Sequence, residues 1–132
     1  MNNESKIDML NYWIEQLTNY FHEIEFKVDP MPNIVLNEDP NDEQELFIKT
    51  GYYEPENNEL VLFIDNRHIK DILRTFCHEM VHRNQHLRDP EFASHVSNLP
   101  LEEDPVLKEI ESEAFLQGNL LLRGFTERYT HK

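Results

Sequence analysis

The chain has 132 residues, 39% apolar and 11% aromatic, enough for one modest core and too little for two, so a single domain over residues 1–132 is expected. Asp and Glu outnumber Lys and Arg 26 to 12, and the resulting charge of −14 repels phosphate backbones and anionic bilayers, which argues against nucleic acid or membrane as a principal partner. Cys77 is the only cysteine, which excludes an intramolecular disulfide and a four-thiolate metal site, and with no apolar leader or span in view the expected setting is soluble and cytoplasmic.

Ser5 followed by Asp8 reads as a capping box, and Ile7, Leu10, Ile14, Leu17 and Phe21 then recur at helical spacing, predicting a helix from Ser5 to His22. Ile24 to Val28 alternates apolar and charged residues as a half-buried strand does, and Asp29-Pro30-Met31-Pro32 ends it. The Asn-, Asp-, Glu- and Pro-rich run from there to Glu45 reads as an acidic loop. Leu46 to Tyr53 and Glu59 to Ile64, rich in aromatic and branched residues and separated by Glu54-Pro55-Glu56-Asn57-Asn58, read as an antiparallel hairpin. Asp65 or Asn66 can cap the next helix, whose stripe Ile69, Ile72, Leu73, Phe76, Met80 and Leu87 ends near Asp89-Pro90. A short helical segment around Glu91 to Val96 and a last helix from Pro105 to about Phe125 complete the chain.

The central helix carries His78-Glu79-Met80-Val81-His82. Histidines four apart sit one above the other on a helix, so both imidazoles can reach one zinc ion while the intervening Glu79 lies beside it as a base. Composition alone produces this pattern in about one such chain in twenty, so the motif needs support. Both histidines fall opposite the main apolar stripe, next to Cys77 and Val81, as a site enclosed against a second helix requires.

A catalytic zinc takes three protein ligands and keeps one open position. The last helix offers Glu109, Glu111 and Glu113. Glu111 projects into the stripe Leu107, Ile110, Ala114, Gly118, Leu121 and Phe125, where a carboxylate is costly unless a cation neutralises it. Ala114 and Gly118 are small enough for the helix to approach the histidines closely. Glu113 points to a flank and remains the alternative ligand, with Gln117 as its possible support.

His78-Glu79-x-x-His82 followed by Glu111-x-Glu113-Ala114 resembles the gluzincin metallopeptidases, whose third zinc ligand is a Glu on a later helix, often within E-x-x-A. Phe115 departs from the acidic or amide residue that often follows. The order helix, hairpin, H-E-x-x-H helix, E-x-x-A helix resembles the minimal, minigluzincin core across about residues 46 to 125. The tail Glu113-Ala114-Phe115-x-x-Gly118-Asn119…Arg123 is similar to small predicted metallopeptidases of crAss-like gut phages. The resemblance implies an α+β zincin core with a small antiparallel sheet, and a peptidase in which His78, His82 and Glu111 hold Zn2+ while Glu79 takes a proton from the attacking water. A peptide or protein is then the substrate, lying along an edge of the hairpin. Two rival readings are a catalytically silent zinc-binding module and a SprT-like protease, the latter disfavoured by the acidic surface.

His86 is a surface histidine near a helix end, or a fourth ligand or substrate contact. Cys77 is a small buried hydrophobe and Trp13 belongs to the core. Tyr52, Tyr53, Arg123 and Tyr129 are candidates for stabilising the oxyanion, and His22, His68, His95 and His131 have no identifiable partner.

Overall fold

The computed structural model describes residues 2–39, 50–96 and 98–130. These form an α+β fold of four helices, α1 (Asn3–Glu23), α2 (Ile69–Arg88), α3 (Pro90–Ala93) and α4 (Pro105–Thr130), with a 3-10 turn at Leu101–Glu103. The three-stranded sheet comprises β1 (Asn33–Asn37), β2 (Gly51–Glu54) and β3 (Glu59–Phe63) in the order β1-β3-β2. Among the described residues no helix is long and apolar enough to cross a membrane.

The hairpin forms as expected, with Gly51 opposite Leu62 and Glu54 opposite Glu59, over shorter strands; residues 46–49 of the anticipated first strand lie outside the described residues. The sheet is mixed rather than antiparallel, because β1 runs parallel to β3, with Ile34 beside Leu60 and Leu36 beside Leu62. β1 arises within the segment read as an acidic loop, of which residues 40–45 lie outside the described residues. Its Ile34-Val35-Leu36 run has no in-out alternation, as befits a strand partly covered on both faces.

The expected strand at Ile24 to Val28 is instead the end of α1. Glu25 adopts φ 62°, its N–H donates to the His22 carbonyl, and the Phe26 N–H donates to the Phe21 carbonyl. This pair of bonds is the Schellman termination, and its usual apolar contact is present as the Phe21 and Phe26 rings, 4.9 Å apart. At the other end Asn2, not Ser5, caps α1: its Oδ1 accepts the Ser5 N–H at 2.8 Å. α2 is capped at His68 with no side-chain bond, while Asn66 takes φ 56° in the preceding turn, so neither Asp65 nor Asn66 is the cap.

The core joins Leu10, Ile14, Leu17 and Phe21 of α1 to Leu60 and Leu62 of β3, Ile72, Phe76 and Met80 of α2, and Leu122 and Phe125 of α4. Phe76 has no exposure, and its truncation to Ala would cost about 3–5 kcal/mol. Trp13 is partly buried against this cluster, edge-on to Phe125 and Tyr129. Leu87 is exposed, and Leu122 is buried where Leu121 was expected. α2 instead buries Arg83, whose guanidinium donates to the carbonyls of Lys27 and Pro30 and so ties the segment before β1 to the helix.

Two glycines set how closely α2 is approached. A Cβ on Gly118 of α4 would lie 3.0 Å from the His78 Cα and 3.1 Å from its N, so the helices meet backbone to backbone at the first histidine. A Cβ on Gly51 of β2 would lie 2.8 Å from the Thr75 methyl and 2.6 Å from the Val61 carbonyl oxygen. The sheet edge is thereby drawn against α2 at Thr75, just before the H-E-x-x-H motif, and α4 against the motif's first histidine.

Candidate metal centre

α2 has a second face, turned from the core toward α4 and β2. On it the Nε2 atoms of His78 and His82 lie 3.2 Å apart, with the rings edge-on and their centroids separated by 4.8 Å. Glu111 enters from α4, its Oε2 3.5 Å from His78 Nε2 and its Oε1 3.4 Å from His82 Nε2. Donors at about 2.0–2.1 Å from a tetrahedral zinc are roughly 3.3 Å from one another. All three separations are close to that edge length, the two to Glu111 being made by different oxygens of its carboxylate.

The protonation of His82 follows from its other side. Gln85, buried one turn on, donates from Nε2 to the Ile110 carbonyl at 3.0 Å and to Glu113 Oε1 at 2.8 Å. Both amide hydrogens are thereby used toward α4, and Gln85 Oε1 faces His82 Nδ1 at 2.7 Å. An amide oxygen only accepts, so Nδ1 carries the proton and neutral His82 presents a lone pair at Nε2. That lone pair faces a carboxylate oxygen. Two acceptors at 3.4 Å are brought together by a proton, on His82 or shared from His78 Nε2 at 3.2 Å, or by a metal ion, which a donor set of two imidazoles and a carboxylate can hold.

The charges respond accordingly. Hydrogen bonds with His78 and then His82 hold the Glu111 carboxyl far below the ordinary range, against the opposing effect of burial. For His82, burial acts downward, but the hydrogen bond with Glu111 and the charges of Glu79 and Glu111 outweigh it and raise the value above 6.5.

Glu79 sits beside this trio, with ligand atoms of His78, Glu79 and His82 all within 4.8 Å of one another. Its residue exposure is only 8%. Burial raises its pKa, opposed by His82 and His78, while Glu111 adds to the rise; the backbone N–H of Tyr53 on β2 donates to it and acts downward. The strand edge therefore orients this carboxylate without neutralising it.

Glu113, the alternative ligand, is turned elsewhere. Its Oε1 accepts from Gln85 and from Arg88 Nη2, each at 2.8 Å. Burial raises its pKa, but the bonds from Arg88 and Gln85 prevail and lower it. Gln117 and Phe115 are both exposed, so the support expected after E-x-x-A comes instead from the Gln85–Glu113 pair.

The trio opens into a cleft of about 480 Å³ whose walls include Tyr52, Tyr53, His86 and His95. His86 is half-buried with its ring against Tyr53, centroids 5.8 Å apart, and burial followed by the charge of His82 lowers its pKa. His95 donates from Nε2 to Asp104 Oδ2 at 2.8 Å, and Asp104 Oδ1 accepts the N–H groups of Val106 and Leu107 at the start of α4. Arg123 and Tyr129 do not line the cleft: Arg123 pairs with Glu127, and Tyr129 donates to Gln16. Cys77 is fully buried, its thiol pushed up to about 12 by burial, and is inert packing. His22 and His68 are exposed, and His131 lies outside the described residues.

Sequence spacing missed three participants. Gln85 lies beyond the end of H-E-x-x-H, though its place three residues after His82, on the same face, is a readable signal. The His95–Asp104 pair spans the Asn98-Leu99-Pro100 break, where no periodicity relates the two. The Tyr53 contribution is a backbone N–H, which no side-chain pattern carries. Compared with protein-family models, curated proteins and solved structures, the chain matches none.

Proposed function

We propose that this chain is a zinc-dependent peptidase of minimal gluzincin-like architecture, in which His78, His82 and Glu111 hold the ion and Glu79 is the general base. The observation that carries the reading is the pair of facing acceptors, His82 Nε2 and Glu111 Oε1, at tetrahedral-edge separation with His82 held in the metal-binding tautomer by Gln85. When bound, zinc supplies Lewis acidity to a water and to the carbonyl of the bond to be cut.

The remaining steps belong to this chain's residues. Glu79, buried and with a raised pKa, takes the proton of the attacking water and delivers it to the departing amine. The Phe63 N–H donates to the Thr50 carbonyl, so the backbone groups of Thr50, Tyr52 and Glu54 face β3. Those of Gly51 and Tyr53 face the other edge, toward Glu79. An extended peptide aligned with this edge brings its carbonyls past the base. His95, anchored by Asp104, lines the same cleft.

The test is to strip the protein with a chelator, reload it with zinc, and digest a broad peptide library. Cleavage that vanishes with the metal and returns with it is expected. A protein that holds one zinc per chain and cleaves nothing would instead be a zinc-binding interaction module.

A further inference from the structure

Beside the trio, the surface carries two large apolar side chains that the core does not use. Phe115 of α4 is 66% exposed and Leu101 of the 3-10 turn is 45% exposed. With Ser112 and the stem of Lys108 they line a predominantly apolar recess of about 390 Å³, and its remaining walls are His78, Glu111 and Glu102. His78 and Glu111 also wall the cleft that holds Glu79, so the recess adjoins the candidate metal centre across those two residues. An exposed phenylalanine gains nothing from folding, and two such side chains from separate elements converging beside a reactive site have the character of a binding surface.

We infer that the recess selects peptides with a large apolar residue adjoining the bond to be cut. The inference rests on the peptidase reading and names its substrate class. A peptide whose scissile carbonyl lies between His78 and Glu111 has only its adjoining side chains close enough to enter, and leucine, methionine or phenylalanine would bury apolar surface against Phe115 and Leu101. An acidic residue at that position buries no apolar surface, and Glu102 and the chain's charge of −14 disfavour it. Phe115 thus has a role as a specificity residue where the related motif places a polar one.

The test uses the zinc-loaded protein, a proteome-derived peptide library and mass-spectrometric mapping of cut sites. Leu, Ile, Met and Phe should be enriched on one side of the bond by about tenfold over Ser and Asp, the usual scale for an apolar pocket. In Phe115→Asp and Leu101→Asp, both at exposed positions that leave the core intact, the enrichment should collapse while zinc content stays at one per chain. Absence of enrichment, or enrichment unchanged in both variants, overturns the inference.

A second measurement separates its failure from that of the peptidase reading. Leucine hydroxamate and serine hydroxamate are titrated calorimetrically into zinc-loaded Glu79→Gln. Leucine should bind about tenfold tighter, and Phe115→Asp should erase the difference. Equal affinities overturn the recess whatever is cleaved. Selective binding by a wild type that cleaves nothing keeps the recess and overturns the peptidase reading. A stable dimer that buries Phe115, seen by sedimentation, would show a second copy as the occupant and also overturn the inference.

Discussion

Nδ1 of His82 lies 2.7 Å from the side-chain oxygen of Gln85, and this contact leaves Nε2 as the nitrogen free to bind a cation. Gln85→Leu keeps the bulk but releases the tautomer and ring orientation. Zinc affinity should fall about 10–100-fold, the usual cost of losing a group that orients a ligand. Competition with a chromophoric chelator measures it, and unchanged affinity would remove Gln85 from the account.

Glu111 and Glu113 are two residues apart on α4 and have different partners, the histidines for one and Gln85 with Arg88 for the other. Glu111→Gln should therefore lose far more zinc affinity than Glu113→Gln, whose effect passes only through Gln85 and His82. The reverse ranking in a parallel titration would make Glu113 the ligand.

The close passage of α4 over His78 depends on Gly118. Gly118→Ala puts a methyl group against backbone atoms that cannot rotate aside, costing about 1–3 kcal/mol by overpacking. Moving α4 outward also withdraws Glu111, so both Tm and zinc affinity should drop. A variant with wild-type zinc affinity would show that Glu111 does not need the close approach.

These elements were unequally legible in the sequence. The three long helices follow from period-3.6 apolar stripes, and the small residues Ala114 and Gly118 marked the face of α4 that meets α2, because local spacing alone determines both. β1 was not legible, since its parallel partner β3 lies more than twenty residues away and its two-sided partial burial removes alternation. The false strand at Ile24 to Val28 arose because a Schellman turn followed by an apolar anchor at Phe26 and Val28 imitates a period of two. His78, Glu79, His82 and Glu111 were legible as residue types at helical spacing and converge here. Gln85 and the Tyr53 N–H act through tertiary geometry that spacing does not encode.

The metal-free protein should have a stability maximum between about pH 4.5 and 6.5. Glu111 has a lowered pKa in the fold, so its contribution is present above its ordinary value of 4.5 and is lost as pH falls toward the depressed one. His82 has a raised value, so its contribution is present below 6.5 and is lost as pH rises through that raised value; Glu79, raised from 4.5, draws the falling limb toward the acidic end of the window. Thermal melts against pH should show both flanks, and Glu111→Gln should flatten the acidic one. Protons compete for the same His82 nitrogen, so zinc affinity should climb as pH rises past the raised His82 value. A monotonic stability profile with pH-independent zinc binding would contradict the pairing.

The most direct test of the whole account is Glu79→Gln, assayed for zinc content and peptide hydrolysis in the same preparation. The substitution keeps the size of the side chain and removes the base. One zinc per chain, as in the wild type, is expected, with turnover reduced at least ~10²-fold. Hydrolysis at the wild-type rate, or loss of the metal with Glu79, would contradict it.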